Sequence, residues 1–268
     1  MPRTPRRVRR VSAGIPDREF RRFVAVVRRL RKECPWDRKQ THRSLRGGLL
    51  EDTYETLDAL DRRNFPGVGG ELGDLLLHVA LHAVIAEEAR EFTLRDVLTG
   101  ITGKLVRRHP HVFGSARVTG ARQVVANWEE IKMKEGRRSV LEGIPRHLPA
   151  LQRALRIQQR ASAVGFDWKT RAGALAKVAE EAREASRARD ARAREGEFGD
   201  LLFAVVNAAR FAGVDPEHAL RGSVDRFDAR FRYIERALAR KGVRPAETTL
   251  AVMDALWEEA KSRERRRR

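Results

Sequence analysis

A single cysteine, Cys34, among 268 residues excludes an internal disulfide framework and suits a reducing compartment. The basic N-terminus is not followed by an apolar stretch of the kind a secretory signal needs. No uncharged apolar run reaches membrane-spanning length, because Asp74 and His78 interrupt the most hydrophobic segment. No stretch alternates with period two between hairpin turns, which leaves strands without a signal. Acids are also in short supply, 37 against 56 lysines and arginines, for a formal net charge of +19. These absences together predict an all-α, cytoplasmic chain that does not enter a membrane and has polyanions as natural partners.

The acids that are present are not scattered. Between Lys177 and Asp200, helical spacing puts Lys177, Glu181 and Glu184 on one face and Leu175, Val178, Ala182 and Ala185 on another. Glu197 and Asp200 stand one turn apart on a second helix beside Phe198, Leu201, Leu202 and Val205. Helices joined by a short spacer pack antiparallel, so these carboxylates can converge in one groove. Gathered acids repel one another unless a cation sits between them, and an all-oxygen donor set suits a hard ion such as Mg²⁺.

The pattern occurs twice. Gly70-Glu71-Leu72-Gly73-Asp74-Leu75-Leu76 repeats as Gly196-Glu197-Phe198-Gly199-Asp200-Leu201-Leu202. Upstream, Glu51-Asp52-x-x-Glu55 matches Glu180-Glu181-x-x-Glu184; downstream, Trp128-Glu129-Glu130 matches Trp257-Glu258-Glu259. Three blocks in one order mean two copies of a helical unit. We place them at 16–135 and 150–263, with a linker at 136–149 whose Val140, Leu141, Ile144 and Leu148 should dock on a surface. Basic tails at 1–15 and 264–268 read as disordered arms capable of weak, salt-sensitive contact with nucleic acid.

Taken in order, Asp17 opens a helix that ends before Cys34-Pro35, since proline disfavours helical geometry in the residue preceding it. Leu49 to Arg62 is expected to turn Leu50, Tyr54, Leu57 and Leu60 inward, and 66–70 reads as a turn ahead of a helix from Glu71. Thr93 is expected to cap the helix that follows. In the second copy, helices are expected at about 150–164, 172–189, 197–212, 216–241 and 249–263.

These blocks, together with Cys34-Pro-Trp-Asp37, Lys104-Leu-Val-Arg-Arg-His-Pro-His-Val-Phe113 and Val164-Gly-Phe-Asp-Trp168, resemble the MazG-type nucleoside triphosphate pyrophosphohydrolases. The resemblance spans nearly the whole chain. It implies four-helix units, usually dimeric, that use Mg²⁺, with Mn²⁺ as a substitute, to split nucleoside triphosphates into monophosphate and pyrophosphate. By position it makes Glu181, Glu184, Glu197 and Asp200 the metal ligands. Lys177, Arg226, Arg230 and Lys261 become the grips on the triphosphate, and Trp257 a neighbour of the nucleotide.

The chemistry of the residues agrees. Charge building on the phosphoryl oxygens calls for metal ions and fixed cations, and a free carboxylate, Glu180 or Glu184, can orient or deprotonate the water. Asn207 can hydrogen-bond phosphate, sugar or base. Against this set, the first copy has Gly48 for Lys177, Asp52 for Glu181 and Leu81 for Asn207. His78 and His82 answer to Ala204 and Ala208 and read as packing or surface residues. The main site is therefore expected in the second copy. The first copy, with Glu51, Asp52, Glu55, Glu71, Asp74, Lys104, Arg108 and Lys132, is a weaker second site or a scaffold. The competing functional readings are a helical protein attached to nucleic acid and a nucleotide sensor without turnover.

Overall fold

The computed structural model describes residues 17–136 and 138–266; the expected basic arm at 1–15, with its nucleic-acid contact, and residues 267–268 lie outside them. Glu264 and Arg265 of the expected C-terminal arm are not disordered but belong to the last helix, where Glu264 pairs with Arg230. Among the described residues there are eleven α-helices, two 3-10 turns and no strand. The all-α expectation therefore holds.

Helix α1 (Asp17–Glu33) stops ahead of Cys34-Pro35. Arg31 anchors the loop beyond it, donating to the Gln40 carbonyl at 2.8 Å and pairing with Glu88 at 2.9 Å. Helices α2 (Arg46–Asp61) and α3 (Phe65–Ala89) form an antiparallel hairpin, followed by α4 (Leu94–Arg108) and the short α5 (Pro110–Phe113). Thr93 caps α4 as expected, in a reciprocal capping box with Asp96. The core of this half joins Val27 of α1 and Leu45 to Leu81, Val84 and Ile85 of α3. Full burial of each such side chain is worth roughly 1.5–3 kcal/mol.

Two expectations fail here, for identifiable reasons. The segment 66–70 is no turn but the opening of α3: Asn64 accepts a hydrogen bond from Gly67 N–H, and Pro66 sits where its missing N–H costs nothing. A helical glycine costs only about 1 kcal/mol against alanine, so Gly67, Gly69 and Gly70 punctuate less than they suggest. The expected inward face of α2 is also turned: Leu50, Tyr54 and Leu60 are exposed, while Thr56 and Ala59 are buried. The hairpin partner α3 covers the polar-and-small side of α2, where the acids lie, and leaves the apolar side open.

Helix α3 is long and apolar enough to cross a membrane by composition alone, 25 residues with a mean hydropathy of 1.4 over its best window. Its buried residues, Ala80 to Ala86 among them, pack in the core against α1, and Glu71 and Asp74 occupy its first half. It is the central helix of a helical unit.

Residue contacts divide the chain into two compact units, 1–117 and 118–268. The second begins with α6 (Ala121–Lys134), which packs on α7 (Ala150–Ala163). The internal repeat pairs α6 with the last helix of the chain, so spatial contact and repeat order draw the boundary at different places. The hairpin of α8 (Arg171–Arg187) and α9 (Ala191–Phe211) is the most extensive helix pair of the chain, and α7 covers α9. Asp190 caps α9 seven residues ahead of Glu197, so the glycine-flanked acids lie inside the helix, as they do in α3. Helices α10 (Pro216–Ala239) and α11 (Leu250–Arg265) form the remaining hairpin. Val140 and Glu142, expected in a docking linker, are held by their carbonyls to the Arg160 guanidinium of α7.

Candidate functional site

The short connection at 188–190 turns the chain back on itself, so α8 and α9 lie side by side and their acidic faces meet. Carboxylate oxygens of Glu181, Glu184 and Glu197 lie within 4.8 Å of one another. Glu181 is buried, only 5% exposed, while Glu184 is open to solvent. Lys177, one turn before Glu181, donates to it at 2.6 Å and to Glu180 at 2.8 Å. Those two hydrogen bonds, with Glu180 the larger influence, hold the ammonium well above its ordinary range, and Lys177 in turn depresses the Glu180 carboxyl. The net result is a crowded anionic patch with a single side-chain cation hydrogen-bonded to its buried member. An all-oxygen donor set with excess negative charge fits a hard divalent cation.

Asp200 stands outside the tight trio. It lines, with Glu181 and Lys177, one side of a cavity of about 720 Å³ whose remaining wall is largely apolar. Leu141, Ile157, Phe166, Trp168 and Phe203 face this space, and Gln158, Asp167, Asn207 and Arg210 supply its other polar groups. The loop carrying Phe166 and Trp168 turns at Gly165, whose φ of 90° favours a residue without a side chain. Beyond the acids and Lys177, the sequence assigns a site role only to Asn207 among these wall residues; Leu141 is placed in the linker, and Phe166 and Trp168 in the block that carries the resemblance. The one available signal was that Val164-Gly-Phe-Asp-Trp168 occupies the place of Cys34-Pro-Trp-Asp37 in the other copy.

Of the expected triphosphate grips, Lys177 lies at the acids and the other three lie elsewhere. Arg226, Arg230 and Lys261 line a separate 220 Å³ hollow between α10 and α11, which shares no wall residue with the acid cavity. Arg230 pairs with Glu264 at 2.7 Å and lies over the Trp257 ring at 5.3 Å, a cation–π arrangement. Trp257 also contacts Phe227, ring centroids 5.3 Å apart, and Lys261 is engaged by Glu258 at 2.6 Å. Within one chain, the acids and the α10–α11 cations therefore line separate hollows.

In the first unit the same helices meet, with one exchange. Gly48 replaces Lys177, and a side chain there would come within 3.3 Å of the His78 ring. His78, itself buried, bonds Asp52 through Nε2 at 2.9 Å. The partner of the inner acid has thus moved from the acid's own helix to the facing one. This explains His78 better than packing alone. His82 pairs with His42 at 2.7 Å between Nδ1 atoms; burial first, then His42 and His78, hold its imidazole below the ordinary value. Desolvation, followed by Glu71, Glu51, Asp52 and Asp74, raises the Glu55 carboxyl, so these five acids share one neighbourhood. Lys104 and Arg108 lie on α4, while Lys132 belongs to the second unit and sits over the Trp128 ring at 4.9 Å.

Comparison with known proteins meets this geometry from another side. The family model described as the MazG nucleotide pyrophosphohydrolase domain matches residues 40–113. The chain is 44% identical over 247 residues to the nucleoside triphosphate pyrophosphohydrolase/pyrophosphatase MazG of Thermotoga maritima, covering 90% of this chain and 95% of that protein. It is 42% identical over 255 residues to the nucleoside triphosphate pyrophosphohydrolase of Escherichia coli K12, covering 91% and 97%. A Mycobacterium tuberculosis protein of the same name is 35% identical over 229 residues, 84% of this chain and 61% of its own length. Identity at that level, carried through both copies, shows that this chain belongs to the MazG family.

Proposed function

We propose that the second unit hydrolyses nucleoside triphosphates to the monophosphate and pyrophosphate, clearing the nucleotide pool of normal or damaged triphosphates. The observation that carries this reading is the trio Glu181, Glu184 and Glu197, set beside a cavity with an apolar, aromatic wall. That layout offers a charged end for a polyphosphate and a dry end for a base. Mg²⁺, with Mn²⁺ as a substitute, would be held by the trio with Asp200 alongside. When bound, such an ion neutralises phosphoryl oxygens and acidifies a bound water.

The chain's own groups supply the rest. Lys177 places a fixed positive charge beside Glu181, where charge grows as the anhydride breaks. Glu180 is depressed by Lys177 and so makes a poor base, which leaves the exposed Glu184 to orient the attacking water and accept its proton. Arg226, Arg230 and Lys261 form a second positive surface that draws polyphosphate towards the unit.

Incubation with a nucleoside triphosphate and Mg²⁺ is expected to release monophosphate and pyrophosphate in equal amounts, followed by anion-exchange chromatography. Orthophosphate and a diphosphate as first products would overturn the assignment.

A homodimer belongs to the same reading. Leu175 of α8 and Phe198, Leu202 and Val205 of α9 stand exposed along the acid-bearing hairpin, and a second copy would remove that area from water. Light scattering should return roughly twice the chain mass of 30.5 kDa; the mass of one chain at micromolar concentration would refute it.

A further inference from the structure

Two amide side chains face the large cavity of the second unit, and each is held in one orientation by its neighbours. Arg210, three residues on from Asn207 along α9, donates to Asn207 Oδ1 from Nε at 3.0 Å and from Nη2 at 2.8 Å. The guanidinium is itself fixed by Asp167, which accepts from Nη1 at 3.0 Å and from Nη2, and it lies 4.5 Å over the Phe211 ring. A guanidinium only donates, so the atom of Asn207 turned towards it must be the oxygen. The NH₂ group is then what Asn207 has left to offer.

Gln158 of α7 shows the opposite end. Its Nε2 donates to the Phe203 carbonyl at 2.8 Å, one turn before Asn207 on α9. A carbonyl only accepts, so this amide cannot flip either. Its Oε1 is left as a buried acceptor with no hydrogen-bond partner, on a side chain only 7% exposed. An orphaned buried acceptor is destabilising unless something satisfies it. Gln158 and Asn207 line the same cavity, together with Trp168 and Phe203.

A fixed donor and a fixed acceptor in an apolar, aromatic-walled space select a complementary edge. We infer that Asn207 and Gln158 read the base, favouring nucleoside triphosphates whose base carries a carbonyl next to a ring N–H. Uracil, thymine, guanine and hypoxanthine present that lactam edge: an oxygen for the Asn207 amide and a hydrogen for Gln158 Oε1. Cytosine and adenine present the reverse, an exocyclic amine beside an unprotonated ring nitrogen. Two donors would then face each other at Asn207 and two acceptors at Gln158. This rests on the cavity being the nucleotide site, and it adds which bases that site prefers.

Matched pairs test it with the full-length protein: UTP against CTP, and ITP against ATP, which differ chiefly in this edge. Specificity constants, with calorimetric affinities for the same four ligands, should favour the lactam member of each pair by at least about tenfold, the size expected for leaving facing polar groups unpaired. In Asn207→Asp one carboxylate oxygen stays on Arg210 and the other becomes an acceptor, so the preference should level or reverse towards CTP and ATP. Ratios near one for both pairs in the unmodified protein would overturn the inference. So would an Asn207→Asp variant that weakens all four ligands equally, which would put Asn207 on sugar or phosphate. Selective binding without turnover would leave the base reading standing and instead sink the proposed hydrolysis.

Discussion

Replacing Glu197 by glutamine is expected to lower kcat by at least about a hundredfold while making the metal-free protein harder to unfold. Both effects come from the same crowding. Three carboxylates within 4.8 Å repel one another, and among the described residues Glu181 is the one with an ammonium in contact. An amide at position 197 removes one of the repelling charges, so the thermal midpoint without metal should rise. The same change takes away a donor that would bind the divalent ion and the charge stabilisation it brings, an effect of about 10²–10³ for a single stabilising group. Unmodified protein should gain stability on addition of Mg²⁺, because a ligand that binds only the folded state stabilises it by mass action. The variant should lose most of that gain. The counterpart substitution in the first copy, Glu71→Gln, is expected to change kcat by less than about twofold if the second copy carries the reaction. A Glu197→Gln protein with full activity, or a Glu71→Gln protein without any, would remove the second unit from its assigned role.

Lys177→Met is expected to move metal-free stability the other way. The ammonium bridges Glu180 and the buried Glu181, and without it a buried carboxylate faces Glu184 and Glu197 with no cation in reach. The thermal midpoint should fall without metal and recover disproportionately when Mg²⁺ is added, since the ion then supplies the missing charge. The pairing raises the lysine above its ordinary 10.5, so it is fully charged through the neutral range. Its contribution to stability is complete below that ordinary value and is lost only as pH climbs through the raised one. The contrast between the unmodified protein and Lys177→Met should accordingly be flat from pH 6 to 9. On the reaction, loss of a fixed cation beside the departing charge should lower kcat/KM by about tenfold or more. Unchanged metal-free stability would mean that Glu181 tolerates burial without this partner.

The two copies show why such pairs resist inspection of the sequence. Lys177 and Glu181 are four residues apart on one helix, so their contact follows from helical spacing. In the first copy the corresponding acid, Asp52, is met by His78 from the facing helix, 26 residues away. Only packing of α2 on α3 creates that pair, and the glycine at position 48 is what admits the ring. Arg210 and Asp167, and Gln158 and Phe203, are likewise long-range pairs that set the polar wall of the cavity.

Periodicity, the absence of alternating strands and the doubled acid blocks were enough to specify helices, a repeat, and three carboxylates that lie together, Asp200 standing apart from them. These are local properties, repeated every three to four residues, and they survive without knowledge of neighbours. Which side of α2 is covered, whether 66–70 bends or continues as helix, and how Gln158 and Asn207 are turned depend on surfaces brought together from distant parts of the chain. Burial and hydrogen-bond partners are properties of that assembly, and for this protein they separate a row of acids from a site with a shape.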